Sequence, residues 1–328
     1  MSGDLDEVLA QATAWRAAGR DVALATVVRT WGSSPRPPGS QLVVAGNSEF
    51  HGSVSGGCIE AAVVKEAIGV LGAGKPKLLH YGVTNEMAWE VGLACGGQVD
   101  VWVERADPAV IEELRRARAA KEPLVLATWL EGGAHAIVRP AGADPHDLAT
   151  AARRALARDD AEVVETARGP VFLQPLNPPL RLIIVGAVHI AQPLARLATV
   201  AGLDVTIVDP RTAFELPGVA RMTQWPDEAL KALRPDVRTA IVTLTHDPKL
   251  DDPALSTALR TDAFYVGCLG SSKTHAARLG RLADEGLGPD ALARLRGPVG
   301  LRIGARTPAE IAVSILAQII ETLRAEPA

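Results

Sequence analysis

The sequence predicts an α/β protein in two parts, an N-terminal α+β domain over 1–178 followed by a doubly wound parallel-sheet domain over 179–328. Three observations predict it. In the second half, β-branched runs such as RLIIV, VTIVD and TAIVTL alternate with helical patterns, the rhythm of a parallel sheet. In the first half, strands are joined by glycine-rich loops and by a hairpin around Glu131-Gly132-Gly133. Between the halves, Asn177-Pro178-Pro179 forbids a helix and stiffens the connection.

The totals agree with two ordinary domains: 328 residues, 48% hydrophobic and 22% charged, enough apolar matter for two cores. A net charge of −4, with both signs mixed along the chain, gives no electrostatic footprint for nucleic acid or an anionic membrane. No apolar run approaches the roughly 20 residues of a membrane span. The first residues, MSGDLDEVLAQATAWRAAGR, read as an amphipathic helix rather than a leader. Cys58, Cys95 and Cys268 are odd in number and widely spaced, which argues against a disulfide framework or a structural zinc site. A cytoplasmic location is the expectation.

In chain order, 4–18 is predicted as a helix with Leu5, Val8, Leu9, Ala12 and Trp15 on one face, stopped by Gly19. Strands are expected at 21–30 and 41–45, with 31–39 irregular because three prolines and two glycines interrupt it. Residues 52–58 form a glycine-rich turn ahead of a helix, and 77–81 is a further strand. Residues 92–97 form a second glycine loop, feeding a strand in which Val99, Val101 and Val103 alternate with polar or aromatic residues. Helices are expected over 108–121 and 145–158, and strands at 123–130, 134–138, 163–166 and 171–176. In the second half the strands are 181–185, 205–209, 239–244 and 263–266. The helices run from 186 to about 201, from 252 to 260 and from 275 on, and a last one carries a capping box of Thr307, Pro308 and Glu310.

Chemistry concentrates in the two glycine–cysteine loops. In Ser55-Gly56-Gly57-Cys58 the thiol stands where a helix begins, in the field of its positive dipole end, and the glycines leave backbone N–H groups able to face an anion. Cys95-Gly96-Gly97 repeats the combination, and two such loops suggest a shared pocket. The second half carries a broken dinucleotide fingerprint. Gly186 to Ala191 sits between a strand and a helix with Asp209 ending the next strand, which makes the domain Rossmann-like. Val188 replaces the second fingerprint glycine, and its β-branched side chain is expected to project into the phosphate site and to resist a positive φ. NAD(P) is therefore disfavoured. Gly270-Ser271-Ser272-Lys273 misses the P-loop spacing; Ser271 or Ser272 reads as an N-cap, with an anion at this helix start as the alternative. His246 ends a strand at the carboxyl edge, where open α/β sheets place ligands. No histidine spacing fits a metal and no catalytic elbow is present, so no catalytic residue is assigned.

Six segments in order resemble the XdhC/CoxI family, the accessory factors of molybdenum hydroxylases: GSSPRPPGS (32–40), GSVSGGCIE (52–60), GLACGG (92–97), LTHDPKLDDPAL (244–255), YVGCLGSSKTHAARL (265–279) and IGARTPAEIAVSILAQII (303–320). Residues 105–178 match loosely. The resemblance implies a chaperone that binds molybdenum cofactor, as molybdopterin or its cytidine dinucleotide, assists its sulfuration and passes it to an apo hydroxylase. A cysteine desulfurase and a second copy of the chain are the other implied partners. Carried over by residue, it implies roles for the Cys58 turn and the Cys95 loop; joined to the residues read above, the cofactor-binding set is Arg36, Ser55, Gly56, Gly57, Cys58, Cys95, Gly96, Gly97, Gly186, Asp209, His246 and Ser271, with Cys58 as a candidate transient molybdenum ligand. The family usually carries glycine where this chain has Val188, and often a basic residue and methionine where it has Gln41-Leu42. An NAD(P)-dependent oxidoreductase is the competing expectation.

Overall fold

The computed structural model describes residues 2–33, 36–82, 97–140, 147–211 and 216–325. The chain divides into two units, Met1–Pro178 and Pro179–Ala328.

The first unit is built on two antiparallel sheets. After helix α1 (Ser2–Ala17), strands β1 (Val22–Trp31), β2 (Gln41–Ala45) and β3 (Phe50–Gly52), helix α2 (Glu60–Ala73), and strands β4 (Lys77–Tyr81) and β5 (Gln98–Arg105) form a five-stranded sheet in the order β3-β2-β1-β5-β4. Its alternation sorts the two faces. Ala23, Ala25, Val27, Val99, Val101 and Val103 turn towards Ile59, Val63, Ala67 and Val70 of the α2 segment. Leu24, Val28 and Trp102 turn the other way. That face meets α1, helix α3 (Pro108–Ala119) and the second sheet, whose strands are β6 (Leu124–Trp129), β7 (His135–Val138), β8 (Glu162–Thr166) and β9 (Gly169–Leu176), in the order β7-β6-β9-β8. Helix α4 (Ala149–Arg158) closes the outer face of this sheet through Ala152 and Leu156.

Polar groups buried between the sheets are paired across them. Gln41 Nε2 donates to Thr26 Oγ1 and to Gln174 Oε1, each at 3.2 Å. The neutral Gln41 thus serves as a bolt between the two sheets. His135 Nε2 lies 3.2 Å from Glu104, which also accepts from Trp102 Nε1. Burial opposes the charged imidazole, but the bond and the charge of Glu104, with Asp107 nearby, hold its pKa above the usual value.

The second unit is a six-stranded, wholly parallel sheet. It contains β10 (Arg181–Val185), helix α5 (Ala191–Val200), β11 (Asp204–Val208), β12 (Ala220–Met222), helix α6 (Pro226–Leu233), β13 (Thr239–Thr243), helix α7 (Pro248–Ala258), β14 (Tyr265–Cys268), helices α8 (Ser272–Asp284) and α9 (Pro289–Ala293), β15 (Leu295–Arg296) and helix α10 (Pro308–Arg324). The strand order, β12-β11-β10-β13-β14-β15, is the doubly wound order with its switch point between β10 and β13. Both faces are covered, by α5 with α10 on one side and by α6, α7 and α8 on the other, so the central strands are apolar over most of their length. The predicted capping box at the last helix is present in full.

Several helix starts differ from the sequence expectation: the helix expected from 145 begins at Ala149 and the one expected from 275 begins at Ser272. Helix α7 begins at Pro248, not at 252, because Asp247 caps it by accepting from Lys249 N at 3.0 Å. Pro253 then lies inside the helix. Helix α5 begins at Ala191, after a turn closed by Ala191 N to Val188 O.

Candidate functional site

Register places the glycine-rich connections of the first unit together. Trp31 at the end of β1 pairs with Gln98 at the start of β5. Gly52 at the end of β3 pairs with Leu42, next to the start of β2, and Tyr81 at the end of β4 pairs with Val99. The segments 32–40 and 53–59 and the one that enters Gly97 therefore all leave the same end of the five-stranded sheet. Arg36, Ser55, Gly56, Gly57, Cys58 and Gly97 share that end; Cys95 and Gly96 lie outside the described residues. Gly97 packs on backbone, since a Cβ there would stand 2.2 Å from Ser33 O. Arg36 is partly exposed on its segment.

The 53–59 turn is organised from within. Gly52 has φ +93°, and a Cβ on it would meet Gln41 O at 2.4 Å and Val8 at 2.8 Å, so β3 can end here only on glycine. Gly56 and Gly57 follow at φ +80° and +123°. The chain curls around Glu60, the first residue of α2, which is 6% exposed. Its Oε1 accepts from Ser53 Oγ (2.7 Å), Val54 N (3.2 Å) and Ser55 N (2.9 Å). Its Oε2 accepts from Ser55 Oγ (2.5 Å) and Gly57 N (2.9 Å). Gly56 N donates to Ser53 Oγ and Ile59 N to Ser55 Oγ. Burial works against the ionised carboxyl, yet the bonds from Ser55 and Ser53 prevail and bring its pKa down to about 2.

This corrects the expectation that the turn's N–H groups face an external anion. The anion is supplied by the chain itself. Cys58 remains, exposed at the apex, with its thiol free. Glu60 was missed in the sequence; the signal was a carboxylate just after two serines and two glycines, a set of donors in need of an internal acceptor.

In the second unit, Gly186, Asp209, His246 and Ser271 all stand at the carboxyl edge of the sheet. Gly186 has φ +106°, and a Cβ would lie 2.5 Å from Thr245 Cγ2, so the turn after β10 is pressed against the loop after β13. Asp209 is fully buried. It accepts from Ala187 N at 2.7 Å and from the backbone and guanidinium of Arg211 at 2.8–2.9 Å. Burial pushes its pKa up, but these donors hold it below the usual range. Val188 departs from expectation: the positive φ belongs to Gly186, and the Val188 side chain packs partly buried against the α5 core. Ser271 is the N-cap of α8, its Oγ accepting from Thr274 N at 3.1 Å. His246 is exposed at φ +62°. Below this edge, Thr245 Oγ1 donates to Asp251, which pairs at 3.2 Å with Arg278, itself 1% exposed. Among the described residues no group of three or more His, Cys, Asp or Glu is placed to hold a metal ion, and no helix is long and apolar enough to cross a membrane.

Comparison with known proteins fits both halves. The family model described as the XdhC and CoxI family matches residues 15–82, and that of the XdhC Rossmann domain matches 182–319, together more than half of the chain. The chain belongs to the XdhC and CoxI family. Among its relatives is the molybdenum cofactor insertion chaperone PaoD of Escherichia coli (strain K12), 29% identical over 92% of this chain and 83% of that one. Another, described as a probable subunit of xanthine dehydrogenase in Bacillus subtilis (strain 168), is 27% identical over 92% of this chain and 93% of its own length. A crystal structure described as a xanthine dehydrogenase from Bacillus halodurans has the same fold, with a TM-score of 0.75 at 23% identity, covering 96% of this chain and 95% of that one.

Proposed function

We propose that this member of the XdhC and CoxI family is an accessory protein that holds molybdenum cofactor and passes it to an apo molybdenum hydroxylase of the xanthine dehydrogenase or carbon monoxide dehydrogenase type. The observation that carries the reading is the exposed Cys58 thiol on a turn braced from beneath, in a chain related over nine-tenths of its length to a molybdenum cofactor insertion chaperone. The cofactor is cargo. A thiolate is a soft ligand suited to a dithiolene-bound metal, and a single exposed sulfur releases its metal more readily than a closed cage does. The amides of Val54, Ser55 and Gly57 already serve Glu60, so the cofactor's phosphate falls to other groups, of which Arg36 leaves the same sheet end. The Cys95-Gly96-Gly97 loop is assigned to the same site. The proposal includes sulfuration with a cysteine desulfurase as partner, a homodimer and a cytoplasmic location. Within the second unit taken by itself, Gly186, Asp209, His246 and Ser271 are proposed as cofactor-binding residues, of which His246 and Ser271 are exposed.

Replacing Cys58 by Ala tests this. The purified variant should lose its molybdenum and pterin while keeping the wild-type unfolding temperature, and full retention overturns the role of Cys58. A second reading, an NAD(P)-dependent oxidoreductase, is favoured by the doubly wound strand order with Asp209 following β11. It requires that nicotinamide dinucleotide stabilise the protein.

A further inference from the structure

We propose that Glu60 is the positioning residue of the Cys58 site, its carboxylate holding the 53–59 turn in the one conformation that presents the thiol outward. The inference rests on the reading of Cys58 as the cofactor-holding ligand, and it concerns a residue two positions along that would not itself touch the cofactor. The geometry is unlike a helix cap. A capping-box carboxylate sits at the third helical position and reaches one backbone amide. Glu60 sits at the first and gathers three amides and two hydroxyls from residues three to seven positions before it. Each hydroxyl that donates to it also accepts from another amide of the turn, Gly56 N on Ser53 and Ile59 N on Ser55. From Ser53 to Ile59 every amide is thereby satisfied within the chain except that of Cys58, which among the described residues has no partner.

Two consequences follow. The turn cannot relax around Cys58 without unpairing several buried donors together, so the thiol is held before any cargo arrives. And the turn's own ligand surface is reduced to the Cys58 sulfur and N–H, since a diffusible anion would first have to expel a 6% exposed carboxylate. Glutamine in place of Glu60 keeps the shape but sets an NH2 group against Gly57 N–H and the Ser55 hydroxyl, or against the Ser53 side.

The experiment uses the full chain with Glu60→Gln, and Ser55→Ala as the milder variant should the first fail to fold. In the wild type the amide proton resonances of Val54, Ser55 and Gly57 should lie downfield, as amides donating to a carboxylate do. In Glu60→Gln they should move upfield and exchange at least about tenfold faster, while Val63 and Ala67 within α2 keep wild-type exchange. Bound molybdenum should fall to the level of Cys58→Ala. Unshifted amide resonances in the variant, uniform acceleration through α2, or wild-type molybdenum content in the variant each overturns the proposal. If Cys58→Ala keeps its molybdenum, the cofactor-holding reading falls by itself, and the amide resonances still decide whether Glu60 sets the turn.

Discussion

Arg278 is the keystone of the second unit's carboxyl edge, and removing it has a calculable cost. Its guanidinium is 1% exposed, reaching Asp251 at 3.2 Å, Asp252 at 3.6 Å and the carbonyl of Leu269 at 3.3 Å. Asp252 has a second partner in Arg281 at 2.6 Å. Asp251, fully buried, would be left with Thr245, through its hydroxyl and backbone. Breaking a buried pair on one side typically costs about 3–5 kcal/mol, and Arg278→Met should fall in that range at neutral pH. The sign with pH follows. Burial already holds the Asp251 carboxyl above its usual value, against the pull of Thr245 and Arg278. Without Arg278 it rises further, so the folded variant binds a proton that the unfolded chain has lost. Its stability should therefore fall as pH rises above the ordinary carboxylate range, more steeply than that of the wild type. Adding Asp251→Asn removes the stranded charge, keeps an acceptor for Thr245, and should return about 2 kcal/mol or more. Urea unfolding of the four proteins of this cycle at two pH values measures each quantity. A single variant within about 1 kcal/mol of wild type, or a double variant no better than the single, would refute the reasoning.

Gly52→Ala should cost about 2–3 kcal/mol and lower molybdenum retention, because its φ of +93° and the 2.4 Å approach to Gln41 O leave no room for a methyl group; unfolding and metal analysis check both. NADH and NADPH at about 100 μM should leave the unfolding temperature unchanged, since Asp209 is already held by Arg211 and Ala187 N; stabilisation by several degrees would favour the oxidoreductase reading.

The fold was legible wherever a single physical signal dominated. The alternating valines of β5, the apolar β10 and β13, and the Thr307 cap are local patterns with a local cause. Ser271 likewise reads as a cap from sequence and is one. Other features were obscured by repetition or brevity. Asp-Pro occurs at both 247–248 and 252–253, and only the first starts a helix, because Asp247 reaches the Lys249 amide while Pro253 is accommodated a turn later. The three-residue β12 and two-residue β15 are too short to show periodicity and exist because a longer neighbour pairs with them. The site was half legible. Its cysteine and glycines announced themselves, but Glu60, Thr245, Asp251 and Arg278 act by reaching across the chain or back around a turn, which no spacing rule registers.

The polar groups that invite a ligand in this sequence are largely answered by the chain itself. Glu60 occupies the anion-binding turn, Arg211 occupies Asp209, and the Thr274 amide occupies Ser271. Each internal pairing raises the cost of binding there, because a ligand must replace a bond already made in a buried setting. What such pairing leaves at the first site is the Cys58 sulfur, outward and mechanically fixed. An enzyme of small metabolites needs several convergent groups that change their bonding through a reaction. A carrier, as proposed above, needs a dependable ligand held in place when empty, and the braced turn that carries the exposed Cys58 suits that requirement.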